Sequence, residues 1–180
     1  YHNIGTNFLH YNDTKSALAA FDKGIDIAVE NQYWGPLALL YLAKSQILIA
    51  NQDLRMAKEF ADKALSISHN LDDKLTIADI YRVRGMIAKH LNDTQTAKSY
   101  LMISLRINTK QRNSLNIAET SAELASIYKE EGKHELENNY LNQALDYYRK
   151  SNIKEKVLMI EKTLGLETVQ SNAAEVQNEQ

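Results

Sequence analysis

The chain has 180 residues, of which 44% are hydrophobic and 24% charged, a composition typical of a globular protein with a buried core. Its formal net charge of −2 gives no reason to expect nucleic acid, which normally requires a basic face. The absence of cysteine excludes disulfides, a thiolate metal site and a cysteine nucleophile. No apolar run approaches the ~18–20 residues that cross a bilayer, so we expect no membrane partner. The lack of cysteine suits a reducing compartment, and we expect a cytoplasmic location.

Helical periodicity runs through the whole chain. Apolar residues recur at i, i+3, i+4 and i+7, whereas glycine and proline are scarce at 6 and 1. In chain order, the pattern predicts helices over about 1–11, 13–30, 36–50, 53–69, 75–91, 93–109, 115–131, 134–150 and 154–164. The last helix has no following partner and is predicted to be a cap. The polar residues 167–180 are predicted to form a disordered tail or a linker.

Polar residues mark the junctions between these helices. An aspartate that can accept N–H groups of the next helix ends each of the pairs Asn12-Asp13, Gln52-Asp53 and Asn92-Asp93. Gly132 and Lys133 supply the turn before the helix that begins at about 134. Pro36 lies in a first helical turn, where its missing N–H costs nothing.

A shift of 40 residues brings similar residues into register. One column is entirely small: Gly5, Ser45, Gly85, Ala125 and Gly165. Another is large and aliphatic: Ile25, Leu65, Leu105 and Leu145. Such a period is typical of stacked repeats, and the small column predicts a close crossing of two helices. We predict one repeat domain over about 1–166, with repeats at 1–35, 36–74, 75–114 and 115–152 and a capping helix at 153–166.

These columns resemble the tetratricopeptide repeat (TPR), whose first helix carries an aromatic, Leu-Gly and Tyr and whose second carries Ala, Phe and Ala. The first repeat here supplies Tyr1, Ile4, Gly5, Phe8, Ala17, Phe21 and Gly24. Its period is lengthened, since the usual TPR unit has about 34 residues. The resemblance implies an all-α, right-handed α-solenoid of antiparallel helix pairs, with about four repeats and a C-terminal capping helix. The chain begins inside a repeat and without Met, so we expect upstream sequence to be missing.

Four residues depart from their columns. Lys44 and Arg84 occupy the usual leucine column, where either their stems pack and their heads reach solvent, or they pair with an acid across the groove. Glu137 replaces a column alanine, which predicts looser packing near the end. Trp34 stands where the other repeats have polar residues; it is either an exposed anchor for a partner or packs locally against Tyr33 and the adjacent turn.

The resemblance implies that a ligand lies on a concave face lined by the first helix of each repeat. The groove positions are Leu39, Leu42, Gln46, Ile49, Asp79, Arg82, Met86, Lys89, Glu119, Ser126 and Lys129. They differ between repeats while the packing columns hardly vary, as expected either of a groove adapted to one partner or of a drifting solvated face. The apolar residues of the second repeat, followed by charged ones, favour a peptide with a hydrophobic anchor and mixed charges.

The expected function is therefore non-catalytic binding of a protein or peptide. The five histidines are dispersed, and no glycine-rich phosphate loop or nucleophile elbow is present, so we expect no enzymatic activity, no cofactor and no metal. The alternative is a ligand- or peptide-responsive sensor region of a larger bacterial signalling or transcription-regulatory protein, because the long repeats resemble those of peptide-pheromone receptors. A third interpretation is self-association through exposed terminal repeats.

Overall fold

The computed structural model describes residues 1–166, and every regular element in that range is an α-helix. The helices are α1 (His2–His10), α2 (Thr14–Glu30), α3 (Trp34–Ala50), α4 (Leu54–Asn70), α5 (Lys74–His90), α6 (Thr94–Gln111), α7 (Ser114–Glu130), α8 (His134–Lys150) and α9 (Lys154–Thr163). The predicted helix bounds are confirmed to within about two residues, the usual uncertainty of a helix end. The tail predicted over 167–180 lies outside the described residues.

Short junctions of one design join the helices. The middle residue of each junction has a left-handed backbone, with φ between 54° and 70°. These residues are spaced by twenty along the chain: Asn12, Gln32, Gln52, Asp72, Asn92, Arg112, Gly132 and Asn152. Because two such spacings make one repeat, the period of 40 residues consists of two helix-plus-turn halves of equal length.

Backbone hydrogen bonds close each helix before its junction. At the first junction the Asp13 N–H donates to the Phe8 carbonyl at 2.9 Å, and the Asn12 N–H donates to the Leu9 carbonyl at 3.0 Å. This pair of bonds is the Schellman pattern, which satisfies the last carbonyls of a helix. The same pattern recurs at later junctions, for example from Asp53 to Leu48 at 2.9 Å.

The residue that ends a junction also caps the next helix. In five junctions its side-chain oxygen accepts the backbone N–H of the residue three positions later, at 3.0–3.3 Å: Asp13, Asp53, Asp73, Asp93 and Asn113. The predicted caps Asp13, Asp53 and Asp93 are confirmed. Hydrogen bonds from Ser16 and Thr96 lower the pKa values of Asp13 and Asp93 below their ordinary range.

Asp73 is a cap that the sequence pattern did not predict, and we expect its removal to be costly. It accepts from the Thr76 N–H at 3.1 Å and from the Thr76 hydroxyl at 2.6 Å. Asp73→Ala should therefore lower the free energy of unfolding by about 1 kcal/mol. Asp73→Asn keeps an acceptor oxygen and is the control. Urea denaturation followed by circular dichroism measures both, and equal stabilities for the two variants would contradict this role.

Gly132 tests the cost of the left-handed junction itself. Its φ is 70°, and a Cβ added there would meet no atom within 4 Å, so Gly132→Ala adds backbone strain without a clash. We expect a loss of about 1 kcal/mol in the free energy of unfolding. The control is Gly35→Ala in the first turn of α3, where the new Cβ would lie 4.0 Å from Leu71 Cδ1. That helical substitution should raise stability by up to about 1 kcal/mol, and thermal melting of both variants would reveal the opposite signs.

The described chain divides into two compact units, one spanning Tyr1–Gln111 and the other beginning at Arg112. In the first unit α1 pairs with α2, α3 with α4, and α5 with α6. In the second unit α7 pairs with α8, and α9 packs against α8 with Ile160 buried beside Leu145 and Tyr148. The chain therefore has the all-α fold class of a helical solenoid, built from consecutive antiparallel helix pairs.

Small residues on the first helix of each pair permit the close crossing that their column predicts. A Cβ built on Gly5 would lie 2.2 Å from Phe21 Cε1 of α2, and one built on Gly85 would lie 2.7 Å from Leu101 Cγ of α6. At the equivalent position of the pair between them, the Ser45 hydroxyl donates to the Ala57 carbonyl of α4 at 2.7 Å. A larger side chain would force these backbones apart.

First helices form the inner layer of the first compact unit. Within this unit α1 contacts α3 and α3 contacts α5, whereas no such contact joins α2 to α4 or α4 to α6. The second helices are therefore spread apart on the opposite side. Two surfaces result: an inner face of α3 and α5, and outer gaps between successive second helices.

Candidate functional site

Helices α3 and α5 carry the predicted groove residues of the first compact unit. On α3, Leu39 and Gln46 are exposed, with Leu39 at 40%. On α5 the four groove positions are partly exposed: Asp79, Arg82, Met86 and Lys89. These six side chains are therefore accessible, and their role in binding stays a prediction.

Leu42 and Ile49 do not belong to this surface, which corrects two of the predicted groove residues. They are only 6% and 3% exposed and belong to a core cluster that also contains Ile80 and Val83 of α5. Helix α3 packs against α1, α2, α4 and α5, and the cluster that it forms with α4 and α5 buries these two side chains. The apolar anchor expected in the second repeat is therefore reduced to Leu39.

The remaining predicted groove residues lie on α7 in the second compact unit. Glu119 and Ser126 are partly exposed, and Lys129 is exposed. Glu137, which departs from its column in this unit, is buried at the start of α8, where its carboxylate lies 3.1 Å from His134 Nδ1. The helix dipole favours a carboxylate in the first turn of a helix, so α8 can accommodate Glu137 without the looser packing that its column position predicts.

Lys44 joins two successive repeats. Its ammonium contacts the Asp22 carboxylate of α2 and lies 4.6 Å from the centroid of the Phe60 ring of α4. The side chain is mostly buried, so the stem packs while the head is paired. Both predicted alternatives are thus partly correct, but the acid lies on the second helix of the preceding repeat and not across the groove.

The same device recurs one repeat later. Arg84 of α5 donates to the Asp62 carboxylate of α4 at 2.7 Å, and its Cζ lies 5.2 Å from the centroid of the Tyr100 ring of α6. Each of these three residues is 40 positions after its counterpart around Lys44. Lys44 and Arg84 therefore each link two consecutive repeats, and both side chains make their contacts within the fold.

Trp34 begins α3 at the edge of an outer depression. It is 47% exposed, and with Ile67, Asn70 and Leu71 at the end of α4 it lines a volume of about 260 Å³. Its role as an anchor stays a prediction. The depression lies between the start of α3 and the end of α4, a location that the sequence pattern did not indicate.

A larger outer groove lies one repeat further along, between α4 and α6 with α5 as its floor. Its volume is about 400 Å³. The floor and walls are apolar, with Ile77, Tyr81, Ile103 and Ile107. Basic side chains surround them: His69, Lys74, Arg106 and Lys110. We call this surface the basic groove. Its residues come from three helices, so no local pattern in the sequence indicates it.

Two further structural findings concern the same range of residues. Across residues 1–166, no group of three or more histidine, aspartate or glutamate side chains comes together in a way that could hold a metal ion. Among the helices α1–α9, none combines the length and apolar character that crossing a membrane requires.

The architecture and its surfaces define a helical repeat protein. The model of a family described as "Uncharacterized protein conserved in bacteria (DUF2225)" matches residues 48–164, and the chain belongs to this family. A comparison with curated proteins finds no match. Among solved structures, the chain is similar to that described as the crystal structure of BtubC (BKLC) from P. vanneervenii, with a TM-score of 0.69 and 19% identity. The similarity covers 83% of this chain and 63% of BtubC, and it shows the fold alone.

Proposed function

We propose that the chain is a TPR-like module that binds a segment of another protein on the inner face of α3 and α5, without catalytic chemistry or a cofactor. One observation carries this proposal. The residues exposed on that face differ between the two helices, with Leu39 and Gln46 on α3 against Asp79 and Met86 on α5. The small residues beneath them, Ser45 and Gly85, by contrast keep one packing role.

The chemistry of the face suggests the kind of segment that would bind. Leu39 and the partly exposed Met86 offer apolar surface, and methionine adapts its shape to different partners. Asp79 and Lys89 carry opposite charges at positions almost three helical turns apart on α5. A peptide in extended or helical form, with one aliphatic side chain and charges of both signs, matches this distribution.

A second candidate function is a sensor region whose ligand changes the output of an attached effector. Membership of a family conserved in bacteria favours this bacterial signalling role over an adaptor from another kind of organism. The complete gene distinguishes the two functions, since a sensor requires an output domain encoded on the same chain. Sedimentation at several concentrations tests the further possibility of self-association.

A pulldown with matched variants tests the inner face. The groove variant carries Leu39→Glu, Gln46→Lys and Lys89→Glu, and proteins recovered from a bacterial lysate are quantified by mass spectrometry. The control makes the same kinds of change on second helices, with Met102→Glu, Gln95→Lys and Lys58→Glu at positions exposed on α6 and α4. We expect the groove variant alone to lose a specific partner. Recovery of the same proteins by a folded groove variant would contradict the proposal, as would equal losses in the control.

A further inference from the structure

The basic groove on the opposite side of the first compact unit has the features of a second recognition site. Its volume of about 400 Å³ falls in the range of about 300–1,000 Å³ that ligand sites commonly occupy. Ile77 of α5 forms its floor, and Ile103 and Ile107 of α6 form one wall. The gap exists because α4 and α6 do not touch. Ile103 and Ile107 are partly exposed in it, whereas Ile77 beneath them is buried.

Cations surround the strip, and no acidic residue lines it. Arg106 and Lys110 lie one turn apart on α6, both exposed and neither paired with a carboxylate in the part of the chain that the structure describes. Like charges at this spacing repel each other on a helix. The dipole of α6 favours Lys110, because this cation lies in the last turn of the helix. The dipole of α5 disfavours Lys74, because this cation is the first residue of its helix. Lys74 contacts the exposed Asp72 carboxylate at the rim.

Comparison with the preceding repeat shows that these basic residues are not repeated at the equivalent positions. The depression beside Trp34 is its counterpart, shifted by 40 residues. At four rim positions a neutral residue of the earlier repeat becomes basic: Val29 to His69, Trp34 to Lys74, Ser66 to Arg106 and Asn70 to Lys110. Conversely, the position of the wall residue Ile103 is occupied by Lys63 one repeat earlier. The basic groove thus carries basic residues at rim positions where the preceding depression has neutral ones.

We propose that the basic groove binds a short acidic peptide segment of another protein. An aliphatic side chain of that segment packs on the partly exposed Ile103 and Ile107, and flanking carboxylates pair with Arg106 and Lys110. The planar guanidinium of Arg106 can bind a carboxylate through two parallel hydrogen bonds. Nucleic acid fits less well, since single strands rely on stacking against several aromatic rings and the groove offers Tyr81 alone among aliphatic residues.

Selection from a displayed peptide library on the intact chain tests this assignment. We expect enrichment of peptides in which aspartate or glutamate flanks leucine, isoleucine or valine. The affinity of a selected, fluorescently labelled peptide is then measured by polarisation against Arg106→Ser/Lys110→Asn. This variant installs the residues that the preceding repeat carries at Ser66 and Asn70, so the fold already tolerates them in equivalent positions. Affinity should fall about tenfold or more, and binding to the parent chain should weaken as salt is raised.

Two controls make the outcome decisive. Arg55→Glu/Lys58→Glu alters charge on exposed residues at the other end of α4 and should leave peptide affinity unchanged. A labelled oligodeoxythymidylate should not bind the parent chain. The proposal is overturned if no enriched peptide is acidic, or if acidic peptides bind Arg106→Ser/Lys110→Asn as tightly as the parent. Binding of the oligonucleotide that depends on Arg106 and Lys110 would also overturn it, in favour of a nucleic-acid site.

Discussion

Replacing Leu101 by alanine is expected to lower the free energy of unfolding by about 2–5 kcal/mol, because it removes a fully buried side chain from the α5–α6 crossing. Leu101 fills the space that Gly85 leaves open: a Cβ on Gly85 would lie 2.7 Å from Leu101 Cγ. Gly85→Ala alone should also destabilise, by about 1–3 kcal/mol, since the new methyl overlaps with Leu101 and would lie 3.2 Å from the Ala97 carbonyl oxygen.

The double variant decides whether these two residues form one packing unit. In Gly85→Ala/Leu101→Ala the added methyl enters the space that the leucine vacates, so the total cost should be smaller than the sum of the single costs. A coupling of about 0.5–3 kcal/mol is expected for residues in direct contact. Urea denaturation of the parent and the three variants closes the cycle. Additive costs would show that the small column does not serve this helix crossing.

Helix bounds and the small column could be predicted because each depends on local sequence. Apolar periodicity, the amide-aspartate pairs such as Asn12-Asp13, and Gly132 are signals that act within a few residues. The shorter spacing of twenty was missed for a physical reason. Left-handed positions are occupied by residues as different as Asn12, Gln32 and Arg112, and glutamine and arginine are not typical of this conformation. The fold imposes it on them through the two backbone bonds of the junction.

The candidate site was predictable only in part, because burial is decided by neighbouring helices. Groove positions were assigned from one helical stripe, yet α3 is apolar on nearly all sides over 37–43 and therefore buries residues on more than one face. The sequence contained that signal, and it argues against an open apolar groove on this helix. The basic groove required tertiary structure, since His69, Lys74 and Arg106 are brought together from α4, α5 and α6.

A comparison of Leu42→Ala with Leu39→Ala separates core from surface on α3. Leu42 is 6% exposed and clusters with Ile80 and Val83 of α5, so its truncation should cost about 2–5 kcal/mol of unfolding free energy. Leu39 lies three residues earlier and is 40% exposed, so Leu39→Ala should lower the free energy of unfolding by no more than about 1 kcal/mol. Thermal and urea denaturation of the two variants provide the measurement.

The same pair has opposite consequences for binding, which gives the inner-face proposal a second, independent test. If Leu39 supplies the apolar contact, Leu39→Ala should lower the affinity for a captured partner while leaving the fold intact. Leu42→Ala should lower stability without a specific effect on affinity once the protein is measured below its melting temperature. A stable Leu42→Ala variant that loses the partner would instead place Leu42 in the groove, and α3 would then have to move away from α5 when the partner binds.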